Sequence, residues 1–193
     1  MSNYVGSESA VEIRPARIPD IPDLLALINP YAANGILLPR TEFEMAECIR
    51  DFVVARAENR LIGCGALHFY TTTSAEVRSL AVNPAIKSQG LGRRIVSALE
   101  EEAEKNSLDS IFAFTYVPGF FRKLGFAEVD RGELPLKAWK DCLRCPKFQC
   151  CDEVPMVKRL KMRDESAALP AENRLRVLSS LEQPAAMPIV KSR

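Results

Sequence analysis

The sequence is short of the features that mark membrane, secreted and nucleic-acid-binding proteins. It has no apolar run of about 18 residues that could cross a bilayer, and its start, MSNYVGSESA, lacks the basic and apolar regions of a signal peptide. We therefore expect a cytoplasmic protein without a membrane partner. An excess of charge of one sign is also missing, since 26 Lys and Arg side chains are balanced by 25 Asp and Glu side chains. This balance argues against a nucleic-acid partner.

The length of 193 residues favours one domain with enough apolar sequence to bury a core. Composition changes after Leu160, because the segment 161–193 mixes Pro, Ser, Ala and charged residues and contains no aromatic residue. We interpret 11–160 as the folded domain, 1–10 as a flexible N-terminus and 161–193 as a disordered C-terminal tail.

Short apolar runs alternate with helical patterns between residues 11 and 160, which predicts an α/β (α+β) fold with one sheet covered by helices on both faces. A first helix is expected from Ile21 to about Asn34. A second helix should begin after Thr41, whose side chain can cap it while Glu44 completes a capping box. The run FVVARAENRLIGCGALHFY predicts two strands joined by a polar turn. Further strands are expected at EVRSLAV, SIFAFTY and DEVPMVKRL.

The helix predicted to follow Gly90 carries its charges against its own dipole. Its apolar residues recur at helical spacing and should be buried; they are Leu91, Ile95, Ala98, Leu99 and Ala103. Lys87, Arg93 and Arg94 lie near its N-terminal end, whereas four glutamates crowd toward its C-terminal end. An anion at the N-terminus would make this favourable, because backbone N–H groups freed by Gly90 and Gly92 would then hold phosphate oxygens. The alternative is that these charges are solvated and screened.

The loop before this helix lacks the Gly-Lys-Ser/Thr of a P-loop and the third glycine of a dinucleotide-binding fingerprint. It resembles the acetyl-CoA loop of the GNAT N-acetyltransferase superfamily, Gln/Arg-x-x-Gly-x-Gly/Ala after Leu-x-Val. The corresponding residues are Leu80, Ala81 and Val82, followed by Lys87, Ser88, Gln89, Gly90, Leu91 and Gly92. Lys87 departs from the usual Arg or Gln. A second family segment, aromatic-aromatic-x-Lys-x-Gly-Phe, is present from Phe120 to Phe126.

This resemblance implies the GNAT fold, a mixed and mostly antiparallel central sheet flanked by helices on both faces. It also implies acetyl-CoA as cosubstrate, held by residues 80–82 and by the loop and first turn of the helix, including Arg93 and Arg94. No metal is expected for this chemistry.

More narrowly, the chain resembles the short stand-alone N-acetylglutamate synthases of arginine biosynthesis. The supporting stretches are NGILLPRT, IGCGALHFY, EVRSLAV, FAFTYVPGFFRKLGF, ELPLKAWKDCLRCPKF and CDEVPMVKRL. The implied reaction transfers the acetyl group of acetyl-CoA directly to the α-amine of glutamate in a ternary complex. Alternatives are another amine, such as glutamine, a protein N-terminus or a polyamine, or a weakly catalytic module that binds CoA or a partner. A homodimer and association with another arginine-pathway enzyme are further expectations.

The resemblance assigns catalytic roles to residues on two strands. Glu76 corresponds to the general base, with pairing to Arg78 on the same strand face as the alternative. The backbone N–H of Leu80 corresponds to the oxyanion donor at a bulge. The general acid is Thr115 or Tyr116, because Phe121 stands where many family members have a tyrosine. His68, the only histidine, is interpreted as a packed strand residue.

Cations and thiols complete the candidates. Arg40 and Ser79 correspond to substrate-binding positions, and Lys137 or Lys140 could hold the second carboxylate of an acidic amino acid, with a solvated helix face as the alternative for each lysine.

Four cysteines form a C-x2-C-x4-C-C cluster; they are Cys142, Cys145, Cys150 and Cys151. They fit zinc poorly, because adjacent Cys150 and Cys151 diverge in an extended chain, so reduced packed thiols are favoured over a metal or redox site.

Overall fold

A central β-sheet organises the protein. The computed structural model describes residues 11–86, 90–134, 143 and 147–160, and in these ranges seven strands form one sheet. The strands are β1 (Val11–Pro15), β2 (Phe52–Ala57), β3 (Arg60–Phe69), β4 (Ser74–Val82), β5 (Ser110–Thr115), β6 (Ala127–Glu128) and β7 (Val154–Arg159). Their order in the sheet is β1-β2-β3-β4-β5-β7-β6, so the last strand lies between β5 and β6. Only the β4–β5 pair is parallel, and every other pair is antiparallel.

Four α-helices connect these strands in the described part of the chain. They are α1 (Ile21–Ala33), α2 (Glu42–Cys48), α3 (Leu91–Lys105) and α4 (Pro118–Arg122). The predicted cap of α2 is confirmed: Thr41 Oγ1 accepts a hydrogen bond from Glu44 N at 3.2 Å, and Glu44 Oε2 accepts one from Thr41 N at 3.0 Å. No helix in the described ranges has the length and apolar character needed to span a membrane. The predicted termini, 1–10 and 161–193, lie outside the described residues.

Helix α3 covers one face of the sheet. Its buried residues are Leu91, Ile95, Val96, Leu99 and Ala103. Ala98, predicted for the same apolar face, is half-buried, and Val96, which was not predicted, is buried; at about 100° per residue these two residues lie at the opposite edges of the apolar stripe. Helix α3 also lies very close to β3, which has glycine at positions 63 and 65. A Cβ atom on Gly65 would lie 2.9 Å from Cγ2 of Ile95.

Helices α1 and α2 cover the opposite face. A second core forms there from side chains of α1, α2, β2 and β3, which include Leu24, Ile28, Met45, Phe52 and Val54. The predicted arrangement of helices on both faces of one sheet is therefore confirmed. Strand β6 was not predicted, because two exposed residues carry no apolar alternation.

Strand β4 departs from regular pairing at two places. Cys64 of β3 pairs with Ala81, whereas Ala66 pairs with Arg78, so β4 has one more residue than β3 between these pairs. Ser79, within this bulge, has a φ of 52°. On its other side, β4 pairs with β5 only up to Glu76 and Phe112. The middle of the sheet therefore opens between β4 and β5 beside the bulge.

The close approach of α3 to β3 generates a first prediction. We expect Gly65→Ala to lower the free energy of unfolding by about 1–3 kcal/mol, because the added methyl group would overlap Ile95. Chemical denaturation of both proteins measures the difference. The control is Gly132→Ala, since no atom of the described residues lies within 4 Å of a Cβ at Gly132. Equal stabilities of the Gly65→Ala variant and the control would contradict the packing argument.

A half-buried carboxylate on α3 generates a second prediction. Burial raises the pKa of Glu102 above its ordinary value of 4.5, and the charge of Asp51 raises it further while Lys105 opposes the shift. Since the folded protein binds this proton more tightly than the unfolded chain, the contribution of Glu102 to stability is lost as pH rises through the folded-state pKa. We expect Glu102→Gln to raise the Tm at neutral pH, with the gain shrinking as pH falls toward 4.5. Glu101→Gln, at an exposed position of the same helix, should give no comparable gain.

Candidate active site

The N-terminus of α3 brings the two sequence motifs together. Gly90 is its N-cap with a φ of 76°, a conformation that favours glycine, and no acidic residue lies in the first turn. A Cβ at Gly92 would lie 3.4 Å from Cζ of Phe120, so the aromatic segment of α4 packs directly against the glycine loop. Free backbone N–H groups and the helix dipole make this end suited to an anion. Lys87, Ser88 and Gln89 lie outside the described residues.

The charges of α3 have partners elsewhere in the fold. Arg94, which the resemblance assigns to the cosubstrate, donates a hydrogen bond from Nη2 to the carbonyl oxygen of Val11 in β1 at 2.9 Å, and Arg93 is exposed. Near the other end, Glu100 Oε1 lies 2.7 Å from Lys158 Nζ of β7. The unfavourable orientation of the charges relative to the helix dipole is thus partly offset by tertiary contacts of Arg94 and Glu100.

The bulge in β4 carries the three residues predicted to border the cosubstrate on this strand. The side chain of Leu80 packs against the core under α3, whereas Ala81 is buried in the core under α1 and α2. The carbonyl oxygen of Val82 accepts a hydrogen bond from the Tyr31 hydroxyl of α1 at 2.5 Å. The predicted bulge is therefore present, and Leu80 lies next to Ser79 within it.

Glu76 lies at the last paired position between β4 and β5. It is half-buried, and its pairing partners are Phe112 on β5 and His68 on β3. Its Oε2 atom accepts a hydrogen bond from the Tyr70 hydroxyl at 3.0 Å. Arg78, the partner considered as an alternative for Glu76, has its Nη2 atom 3.7 Å from Oδ2 of Asp51. The candidate base is therefore placed where the sheet opens.

Arg40 reaches the bulge from the loop between α1 and α2. The Asn29 side chain makes two hydrogen bonds to the Arg40 backbone, each 3.0 Å long: its Nδ2 donates to the carbonyl oxygen, and its Oδ1 accepts from the N–H group. The guanidinium then lies with Nη2 3.5 Å from Ser79 Oγ. Its Nε atom is buried and has no hydrogen-bond partner among the described residues. Two of the predicted substrate-binding residues are thus adjacent, and a donor group there is left to be satisfied.

A second cluster on the same face was missed by the sequence reasoning. Oδ2 of Asp51 lies 2.6 Å from Nδ1 of His68 and 3.7 Å from Nη2 of Arg78. Burial raises the pKa of the nearby Cys48 thiol, while the charges of Arg40 and Arg78 oppose this rise. Both guanidinium groups therefore act on one thiol and lie in the same region. Strand alternation could have placed His68, Glu76 and Arg78 on one face, but the position of Asp51 depends on how α2 joins β2.

The two candidate acids lie at the end of β5. Thr115 is buried, and its Oγ1 atom accepts a hydrogen bond from Val117 N at 3.0 Å. The Tyr116 hydroxyl accepts one from Lys147 Nζ at 3.2 Å, and this ammonium also lies 4.7 Å from the ring centroid. Burial raises the pKa of Tyr116, with the Lys147 hydrogen bond opposing the shift. Tyr116 therefore keeps its proton at neutral pH, and so can act as a proton donor.

The cysteine cluster is only partly described. Cys142 and Cys145, like Lys137 and Lys140, lie outside the described residues. Cys150 is exposed, whereas the Cys151 thiol is half-buried and accepts a hydrogen bond from Arg131 Nη2 at 3.2 Å. Within the described ranges no three His, Cys, Asp or Glu side chains are grouped as metal ligands.

Comparison with known proteins agrees with this geometry. Residues 21–126 match the acetyltransferase (GNAT) family. An uncharacterized N-acetyltransferase of Chlorobaculum tepidum is 39% identical over 148 residues, which cover 77% of this chain and 96% of that protein. An amino-acid acetyltransferase of Mycobacterium tuberculosis is 34% identical over 121 residues, which cover 61% of this chain and 69% of that protein.

A solved structure supports the same fold. The N-acetylglutamate synthase of Neisseria gonorrhoeae, complexed with coenzyme A and N-acetyl-glutamate, superposes with a TM-score of 0.73 at 29% sequence identity. The superposition covers 80% of this chain and 36% of the synthase, so this chain corresponds to about a third of that protein. This similarity confirms the predicted fold.

Proposed function

Because the chain belongs to the acetyltransferase (GNAT) family, we propose that it transfers the acetyl group of acetyl-CoA to the α-amine of glutamate, giving N-acetylglutamate and CoA. Acetyl transfer follows from the family, and the glutamate acceptor is the proposed part. The observation that carries it is the position of Arg40, which Asn29 holds next to Ser79 and whose buried Nε atom has no hydrogen-bond partner among the described residues. A carboxylate of the acceptor would satisfy this guanidinium.

The chain offers a fitting site for the cosubstrate. Gly90 and Gly92 allow the backbone at the start of α3 to approach phosphate oxygens, and no carboxylate of the first turn opposes them. Lys87, Ser88 and Gln89 would add donors and a cation from the preceding loop. The opening between β4 and β5 would take the acyl end of acetyl-CoA, which supplies an activated thioester carbonyl. Residues 80–82 border this opening.

The proposed chemistry uses one group at each step. Glu76 takes a proton from the acceptor's ammonium group, and the freed amine attacks the thioester carbon. The backbone N–H of Leu80 at the bulge stabilises the negative charge that develops on the carbonyl oxygen. The C–S bond then breaks, and the thiolate receives a proton from Tyr116 or Thr115. The amide nitrogen loses its second proton to water, and this hydroxyl group recovers its own proton from water. Tyr116 suits the role of proton donor because it is protonated at neutral pH and its phenol is a stronger acid than an aliphatic hydroxyl. Thr115 suits it because the N–H group of Val117 orients its hydroxyl.

The acceptor site is proposed on the α1 and α2 side of β4. Arg40 and Ser79 would bind one carboxylate there, and Lys137 or Lys140 would bind the second. Arg40 is half-buried, which strengthens an ionic contact of its guanidinium relative to one in bulk water. An acceptor with two carboxylates would complement Arg40 and a lysine better than a polyamine does.

The decisive experiment measures thiol release from acetyl-CoA with glutamate, glutamine, aspartate and ornithine as separate acceptors, together with the mass of each product. We expect the highest kcat/KM with glutamate. Higher activity with glutamine would reassign the acceptor, and activity with ornithine alone would contradict the glutamate acceptor, because ornithine lacks the second carboxylate.

Replacement of the candidate base gives a third prediction. We expect Glu76→Gln to lower kcat by about 10²- to 10⁴-fold, because the amide cannot take the ammonium proton. The Kd of acetyl-CoA, measured by calorimetry, should stay unchanged. The control is Glu128→Gln, at an exposed residue that pairs with Arg122. Turnover by the Glu76→Gln variant within a few-fold of the control would remove Glu76 from the mechanism.

Replacement of the candidate carboxylate-binding residue gives a fourth prediction. We expect Arg40→Met to raise the KM for glutamate by about 10- to 100-fold, the value of a hydrogen bond between charged groups. The KM for acetyl-CoA should change little. Arg50→Met, at an exposed arginine in the turn after α2, is the matched control. If both variants kept the KM of the original protein for glutamate, Arg40 would not bind the acceptor.

A further inference from the structure

Tyr70 makes a contact that the proposed reaction does not yet use. It follows directly after β3, in the turn that leads into β4, and its hydroxyl donates a hydrogen bond to Oε2 of Glu76 at 3.0 Å. The turn itself is closed by two backbone hydrogen bonds, in which Tyr70 N and Thr71 N both donate to the Ser74 carbonyl oxygen at 3.2 Å. The hydroxyl is therefore attached to a short, hydrogen-bonded hairpin beside the candidate base.

The ring of Tyr70 is held on two sides by other rings. The His68 ring packs edge-on against it with centroids 4.9 Å apart, and the Phe112 ring lies 5.7 Å away at an interplanar angle of 37°. Phe112 and Leu134 are buried in the same small cluster, which Phe114 also joins. With only two side-chain torsions and this packing, Tyr70 has few ways to move its hydroxyl away from Glu76.

We propose that Tyr70 is a positioning residue for Glu76. Its phenol group holds one oxygen of the carboxylate in place and stabilises the ionised form, which is the form that accepts a proton from the acceptor amine. This inference rests on the proposed role of Glu76 as the base. It adds a residue that neither of the two sequence motifs contains.

The physical reason is the preference of hydrogen bonds for charge. A donor aimed at a carboxylate stabilises the ionised state, so its removal makes the protonated state easier to reach. Other charged or titratable groups lie near Glu76: His68 is its pairing partner on β3, Arg78 lies two residues along the same strand, and Asp51 contacts both His68 and Arg78. All of them remain when Tyr70 is replaced by Phe, so the change isolates the hydroxyl.

The test compares Tyr70→Phe with Phe114→Leu. Tyr70→Phe keeps the ring and removes only the donor, whereas Phe114→Leu alters the same aromatic cluster without removing any group bonded to Glu76. We expect Tyr70→Phe to lower kcat several-fold and to move the acidic limb of the pH profile of kcat/KM upward by about one pH unit. The KM for acetyl-CoA should stay the same. Phe114→Leu should lower the Tm and leave the acidic limb in place.

A second measurement does not depend on the acceptor. In protein carrying ¹³C-labelled glutamate carboxyl groups, the Glu76 signal is assigned by its loss in Glu76→Gln, and its titration midpoint should be higher in Tyr70→Phe than in the unaltered protein. Unchanged midpoints and pH profiles would overturn the positioning role, and equal shifts in Phe114→Leu would reduce it to a general effect of packing. If Glu76→Gln is inactive while Tyr70→Phe behaves like the unaltered protein, only this inference fails and the proposed function stands.

Discussion

The extra residue in β4 decides which side chains meet at the centre of the sheet. In a regular strand Arg78 and Ser79 would point to opposite faces, but the left-handed conformation of Ser79 brings Ser79 to the side of α1 and α2, within reach of Arg40. A non-glycine residue in this conformation costs of the order of 1–3 kcal/mol and persists only where its surroundings enforce it. Here the enforcement comes from pairing with β3 on both sides of the bulge and from Tyr31, which anchors Val82. Residues next to Arg40 and residues packed in the core under α3 are thereby separated on one short strand.

Close packing on the α3 face of the sheet fixes where the N-terminus of α3 lies. Because Gly63 and Gly65 leave no Cβ under Ile95, α3 lies near the plane of β3, and its N-terminus lies beside the end of β4. Phe120 then closes over Gly92 from α4. Two motifs far apart in the chain therefore come together as a consequence of core packing. A Cβ at Gly65 would lie 2.9 Å from Ile95 of α3 and 3.4 Å from Leu80 of the bulge, so both the helix and the bulge pack against this glycine.

Much of this arrangement could be predicted from local patterns, and some could not. The capping box at Thr41, the hairpin between β2 and β3 and the buried stripe of α3 follow from residue types at fixed spacing, and the structure confirms them, with Ala98 half-buried and Val96 buried in addition. The contact of Asp51 with His68 depends on the path of the chain from α2 to β2, and the contact of Tyr70 with Glu76 depends on the register between β3 and β4. Neither the path nor the register follows from the residue types of a single element. The pairing of Arg94 with Val11 joins residues from distant parts of the chain, and local charge patterning therefore gave it no signal.

The place of β7 in the sheet has a consequence for biosynthesis. Strand β5 is flanked by β4, which precedes it, and by β7, which is made about 40 residues later, while β6 pairs with β7. Until β7 has left the ribosome, one edge of β5 stays open and β6 has no neighbour to pair with. An open edge is a template for pairing with other chains. The nascent protein therefore carries an exposed strand edge for most of the time between the synthesis of β5 and that of β7. Chaperone binding to the emerging chain in this interval would protect the open edge from pairing with other chains.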